Sequence, residues 1–211
     1  MKRVQVLWMM ALAVLLIVAG LYAGERRGAP APTPVAGQAP ARGGAEEIVL
    51  AANEVVEAFA RRDGERLAGR AHPHKGVRFS PYAYVDVEQD RVFLPAQLRR
   101  FWDDATVYVW GDADGSGEPI ALTSAQYVER FVLDRDYRAV GRVGVNADQP
   151  RGNTVDNAAQ AYPQGTRVEY YVEPAPGGGA AAFDWSALRL VFEQVDGRWR
   201  LVGVIHDQWT T

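Results

Sequence analysis

The chain has 211 residues, of which 48% are hydrophobic and 23% charged, and its formal net charge is -3. This balance lacks the basic excess typical of nucleic-acid-binding proteins, so no nucleic acid is expected among its partners. Because the sequence has no cysteine, disulfides, thiolate metal sites, a cysteine nucleophile and a lipid-modified N-terminal cysteine are all excluded.

An apolar segment opens the chain. Lys2 and Arg3 precede a run from Val4 to Ala23 that is long enough to cross a bilayer as a helix. Basic residues before a first apolar segment favour an N-terminus in the cytoplasm and the remainder outside. Residues 1–23 are therefore interpreted as a membrane anchor or as a cleaved signal peptide. The first reading predicts a single-pass protein of the cell membrane, and the second predicts a secreted one.

A spacer follows the apolar segment. Residues 24–44 are rich in Ala, Pro and Gly, a composition that cannot bury enough apolar surface to fold. They predict a disordered linker between the membrane and a single domain formed by residues 45–211.

The domain begins with a helix, because Ile48, Ala52, Val55 and Phe59 recur at helical spacing. Asp63-Gly64 ends it. In chain order, the sequence then predicts a short helix or turn at 64–71, a loop at 72–76, an extended segment at 77–87, a short helix at 94–102 and a strand at 106–110.

The second half of the domain is richer in strands. After a glycine-rich turn at 112–118 it predicts a helix capped by Thr123 or Ser124, strands at 142–146 and 167–173, and loops at 146–157 and 174–182. Alternating apolar residues at 188–195 and 199–206 flank Asp196-Gly197, which predicts an antiparallel hairpin. This order of elements indicates an α+β domain, with a curved antiparallel sheet wrapped around the N-terminal helix.

Two stretches resemble a known family. The end of the first helix, AFARRDGERLAGRAHP, and the final hairpin, LRLVFEQVDGRWRLVGVIHDQW, are similar to the cone-shaped α+β fold of the nuclear-transport-factor-2-like superfamily. The phrases HPHKGVRFSPY and LVGVIHDQW also resemble exported bacterial proteins. The resemblance implies a pocket at the open end of the cone, but this fold hosts isomerases, dehydratases and non-catalytic domains alike.

The three histidines are the first candidates for chemistry. His72 and His74 share one face of an extended segment, and with His206 they could form a three-histidine zinc site. Hydrogen bonding of the imidazoles to backbone is the simpler interpretation. No metal and no other cofactor is therefore predicted.

A proton-transfer site is the second candidate. His206 or His72 could act as a general acid or base, paired with Asp86 or Asp207 and oriented by a tyrosine. No residue matches a catalytic motif of the resembled superfamily by position, so no catalytic residue is assigned.

An acidic turn is the third candidate. Residues 112–118 match the first half of a calcium-binding loop, but Thr123 stands where the bidentate Glu belongs. An ordinary turn is the better interpretation.

The sequence thus predicts a membrane-tethered module outside the cytoplasm that binds a small molecule or an envelope protein. Two alternatives stay open: a small lyase or isomerase that uses a His–Asp pair, and a structural part of an envelope assembly. The predicted ligand pocket consists of His72, His74, Arg78, Tyr82, Trp102, Tyr170 and His206.

Overall fold

The structure is a computed structural model that describes residues 42–140, 142–147, 155–174, 176–177 and 183–209. Within these ranges, no helix has the length and apolar character needed to cross a membrane. The predicted anchor at 1–23 and the predicted linker up to residue 41 lie outside the described residues.

The described part of the chain is a mixed α+β domain. Its helices are α1 (Arg42–Ala60), α2 (Gly64–Arg70), α3 (Pro95–Leu98), α4 (Ser124–Phe131) and α5 (Ala158–Ala161), with a 3₁₀ turn at Tyr137–Ala139. Its strands are β1 (Val77–Ser80), β2 (Arg91–Phe93), β3 (Tyr108–Asp112), β4 (Pro119–Leu122), β5 (Arg142–Val145), β6 (Thr166–Val172), β7 (Ser186–Val195) and β8 (Arg198–Gln208).

The first predicted helix is confirmed as α1, which begins at Arg42, inside the last residues assigned to the linker. Ile48, Val55 and Phe59 are fully buried, as their spacing predicts. The short helix α2 follows at once, and the Asp63 side chain caps it by accepting the backbone N–H of Arg66.

Six strands form a curved, open sheet in the order β2-β1-β8-β7-β6-β5. All neighbours are antiparallel except β1 and β8, which run parallel. The prediction of a wholly antiparallel sheet is therefore wrong at this pair. Parallel strands need a long crossover connection, and residues 81–197 supply it here.

The final hairpin is confirmed. Asp196 and Gly197 have φ values of 50° and 70°, the left-handed values that a two-residue turn between twisted strands requires. The register shifts between Val191 and Phe192, which pair with Gly203 and Leu201, so Val202 is an extra residue on β8.

The middle of the domain differs most from the predictions. The predicted extended segment forms a strand only as far as Ser80, where Pro81 follows, and the predicted helix at 94–102 is α-helical only over Pro95–Leu98. Strands β2 and β4 were not predicted. They have three and four residues, too short for a pattern of alternating burial to identify them.

The sheet has two buried faces. The face that packs against α1, here called the inner face, carries Val168, Leu190 and Phe192 in the same hydrophobic cluster as Phe59. The opposite face, here called the outer face, belongs to a second cluster formed by Val85, Ala158, Tyr162, Val191, Val202 and Ile205.

Aromatic rings fill the inner face. Trp110 from β3 stacks on Tyr127 from α4 with ring centroids 3.9 Å apart, and Phe79 from β1 lies 5.9 Å from each of them. All three rings are fully buried. The β3–β4 hairpin and α4 therefore place large side chains in the region where the sequence resemblance implies a pocket.

Candidate functional site

A group of polar side chains lies on the inner face at the end of the final hairpin. It joins His206 of β8 and Ser186 of β7 to Asp134 and Tyr137, which follow α4. The backbone brings these residues together because β7 and β8 pair in antiparallel register, while the chain after α4 turns back towards them.

Asp134 is the centre of this polar group. Its carboxylate accepts hydrogen bonds from Ser186 Oγ at 2.7 Å and from Tyr137 Oη at 2.9 Å, and it lies 3.4 Å from His206 Nε2. On the other side of the imidazole, His206 Nδ1 lies 3.2 Å from the carbonyl oxygen of Pro81. Both ring nitrogens therefore have a protein partner.

The surroundings set the protonation of this group. Burial would raise the pKa of Asp134, but the contacts with His206, Ser186 and Tyr137 outweigh it and hold that pKa below its usual value. Burial raises the pKa of Tyr137, so its hydroxyl stays neutral and acts as a donor. The geometry is that of an ionised carboxylate held by two hydroxyl donors beside an imidazole.

Three members of this group are buried, whereas the Asp134 side chain is 17% exposed. His206, Ser186 and Tyr137 are each 1% exposed, and the ring of Phe131 lies 5.6 Å from the imidazole of His206. A general acid or base must reach its substrate within hydrogen-bonding distance. In this conformation the described residues leave His206 no such access, and the polar group joins α4 to the sheet.

The sequence did not identify this group. The carboxylate that contacts His206 belongs to Asp134, and not to Asp86 or Asp207 as predicted. Asp86 accepts backbone N–H groups in its own turn, and Asp207 lies on the outer face near Arg189. Asp134 follows the last turn of α4, and its partner His206 lies 72 positions later on β8. No local sequence pattern predicts a contact between residues so far apart.

His72 and His74 lie elsewhere. His72 Nδ1 accepts the backbone N–H groups of His74 and Lys75, at 3.2 and 3.0 Å, so the backbone interpretation of this imidazole is confirmed. Burial lowers the pKa of His72, although Glu193 at 3.9 Å acts in the opposite direction. Among the described residues, no group of three His, Cys, Asp or Glu side chains is arranged to hold a metal ion.

The other residues of the predicted pocket are dispersed. Tyr82 Oη accepts the backbone N–H of Asp114, and its ring lies 6.0 Å from Phe131. The ring of Trp102 packs 5.6 Å from Phe101. Tyr170 Oη donates to Asn53 at 2.7 Å, beside a surface depression formed by α1.

Arg78 lies on the outer face, in a cavity of about 470 Å³ here called the outer groove. This volume is within the range of roughly 300 to 1,000 Å³ that small-molecule sites occupy. The groove lies between β1, β2 and the chain after α5, and its lining includes Lys75, Arg78, Val92, Tyr162, Glu193 and Val202. None of these side chains contacts the polar group around His206.

A buried ion cluster also lies on the outer face. The Arg189 guanidinium lies 3.0 Å from Glu169, 3.0 Å from Asp156 and 3.5 Å from Asp207. Its side chain is 2% exposed. Because Asp156 precedes α5, the cluster fastens the segment that covers the outer face. Burial raises the pKa of Asp207 to about 6, although the charge of Arg189 opposes that shift.

Comparisons with known proteins concern the fold alone. No family model matches the sequence, and no curated protein matches it. A DUF4783 family protein from Bacteroides ovatus is 9% identical, with a TM-score of 0.33 over 75% of this chain and 94% of that one. A variant of the designed NTF2-like protein Rd1NTF2_05 is 12% identical, with a TM-score of 0.33 over 77% of this chain and 96% of that one.

The raised pKa of Asp207 predicts how stability depends on pH. In the unfolded chain the pKa of an Asp is about 3.9, so the folded protein binds the proton of Asp207 more tightly than the unfolded chain does. The folded protein therefore loses stability as the pH rises through 4 to 6. Relative to Asp207→Asn, which cannot ionise, the natural protein should lose about 1 to 3 kcal/mol of unfolding free energy between pH 4 and pH 7.

Urea denaturation of both proteins across this pH range measures that difference. A difference between the two proteins that stays constant from pH 4 to pH 7 would contradict the assignment.

Proposed function

We propose that this protein is a membrane-tethered module that works outside the cytoplasm by binding a small molecule or an envelope protein, and that its domain performs no catalysis. The proposal is supported most directly by the filled inner face, where Trp110, Tyr127 and Phe79 occupy the space between sheet and helices. A domain whose interior is filled with side chains binds its ligands at its surface.

The proposed location rests on the first 44 residues. The apolar run at 4–23 has the length of a membrane span, and the proposed linker between it and α1 would give the domain reach from the bilayer.

We propose further that the domain is a member of the NTF2-like superfamily. The two stretches that carry the sequence resemblance correspond to the end of α1 with α2 and to the β7–β8 hairpin. Phe59 of the first stretch and Leu190 and Phe192 of the second belong to one hydrophobic cluster, as a sheet wrapped around a helix requires.

A lyase or isomerase that uses His206 and Asp134 is the alternative. Two observations favour it. The imidazole and the carboxylate are 3.4 Å apart. The hydroxyl of Tyr127, buried on the same face, has no hydrogen-bond partner among the described residues. This function requires a rearrangement that opens the inner face to a substrate, because His206 is 1% exposed.

The location can be tested in bacterial cells that express the full chain. Intact spheroplasts are treated with protease, and we expect the domain to be digested and the chain to fractionate with membranes. Leu15→Arg with Leu16→Arg should abolish both results, because each charge at the centre of a membrane helix costs about 3 kcal/mol. Val35→Arg with Ala36→Arg in the linker adds the same charge and should change neither. Protection of the natural domain from protease would contradict the proposed location.

The sealed interior can be tested by modifying histidines with diethyl pyrocarbonate in the full chain, purified in detergent. We expect rapid labelling of the exposed His74 and labelling of His206 only at the rate of global unfolding. Peptide mass spectrometry reads each site, and His206→Gln identifies the corresponding peptide. Labelling of His206 as fast as that of His74 would overturn the non-catalytic proposal and favour the lyase or isomerase.

A further inference from the structure

We propose that the outer groove is a binding site for a carboxylate group carried on a short apolar body. This inference rests on the proposed binding function and adds the site and the chemical class of its ligand. The groove lies on the face of the sheet that faces away from α1, so it is separate from the polar group around His206.

Arg78 supplies a positive charge to the groove. This side chain projects from β1 into the groove and is half-buried. Its Nη1 donates to the carbonyl oxygens of Asp86 and Asp90, at 3.3 and 3.2 Å. Within the described ranges, no carboxylate lies within ion-pair distance of its guanidinium, although its charge acts on the buried carboxyl group of Asp90 in the direction that lowers the pKa of that group. A half-buried cation that lacks a carboxylate partner favours the binding of an anion.

The backbone contacts of Arg78 also fix its orientation. With Nη1 held by two carbonyl oxygens and the hydroxyl of Tyr162 close by, the other N–H groups of the planar fork are the donors open to a ligand. A carboxylate matches such a fork with two parallel hydrogen bonds. The turn at 86–90 therefore preorganises the guanidinium of Arg78, which lowers the entropic cost of binding a ligand.

The charged side chains that line the groove leave it one net positive charge. Lys75 Nζ lies 2.6 Å from the Glu193 carboxylate, so these two charges largely neutralise each other. Arg78 is then the one excess charge among the charged residues that line the groove. A single negative charge satisfies it, whereas a dianion such as phosphate would leave one negative charge unmatched.

The remaining walls of the groove are largely apolar. Val87 and Val92 are 56% and 39% exposed, and Val202 and the ring of Tyr162 continue this apolar lining. Burying an aliphatic chain against these side chains stabilises the complex in proportion to the apolar area removed from water. The ligand therefore has an anionic end at Arg78 and an aliphatic body along the valines.

Two sources share this chemistry, a free short-chain acid and the C-terminal carboxylate of an apolar peptide. The test uses hexanoate as the first probe and the peptide acetyl-Ala-Val-Leu as the second, with hexanamide and the amidated peptide as neutral controls. The full chain in detergent carries isotope-labelled valine methyl groups, so Val87, Val92 and Val202 report on occupancy of the groove.

We expect hexanoate or the free peptide to shift the methyl signals of these three valines, and the neutral controls to shift them much less. Arg78→Gln should weaken binding about tenfold, because a hydrogen-bonded charge is lost, while Arg78→Lys keeps part of it. Glu193→Gln should tighten binding roughly threefold, because it removes the opposing charge. Arg91→Gln removes the same charge from the neighbouring strand, whose pairing places Arg91 on the opposite face with Phe79, and should change nothing.

Far-UV circular dichroism and thermal denaturation of each variant establish that it is folded. Probe binding that Arg78→Gln and Glu193→Gln leave unchanged would overturn the proposal, and so would valine signals that do not move up to the solubility limit of both probes. Either result would refute only the proposal that the outer groove is the binding site. The proposed non-catalytic binding function has its own test, since rapid labelling of His206 is the result that would refute it.

Discussion

The structure depends on the packing of Trp110 against Tyr127 on the inner face of the sheet. This stack joins the β3–β4 hairpin to α4, and Phe79 connects both rings to the central strands. Aromatic pairs of this kind bury large apolar areas and fix ring geometry, so they determine which space inside the fold is available. Once the rings occupy this face, polar residues there are confined among side chains, and solvent-accessible sites are displaced to the surface.

The two faces of the sheet consequently use charge in different ways. On the inner face, Asp134 is satisfied by His206, Ser186 and Tyr137, and all four residues serve the attachment of α4. On the outer face, Arg189 is surrounded by carboxylates, whereas Arg78 donates to two carbonyl oxygens and has no carboxylate within ion-pair distance among the described residues. A satisfied buried charge stabilises a fold, and a partly satisfied charge beside a groove attracts a ligand. This contrast is why the outer face, and not the interior, carries the ligand proposal.

The final hairpin and α1 could be predicted because local chemistry specifies them: Asp196-Gly197 takes the two left-handed conformations of its turn, and the apolar spacing of α1 has a helical period. Local chemistry does not specify the parallel pairing of β1 with β8, nor the contact of Asp134 with His206. Neither could be predicted, because both join residues that are far apart in the sequence. The seven predicted pocket residues were chosen by type. The structure distributes them among the loop before β1, the inner face, the outer groove and a depression beside α1, because side-chain direction depends on register that type alone does not reveal.

Hydrogen exchange at the Trp110 indole is the most direct test of a filled interior. Its Nε1–H donates to the carbonyl oxygen of Leu122 at 2.9 Å, and the side chain is fully buried. If the rings stay packed, this proton exchanges only through global unfolding, and its protection free energy equals the free energy of unfolding measured with denaturant. Exchange that is much faster, while core amides of β7 and β8 remain fully protected, would show that the interior opens locally and would contradict the account.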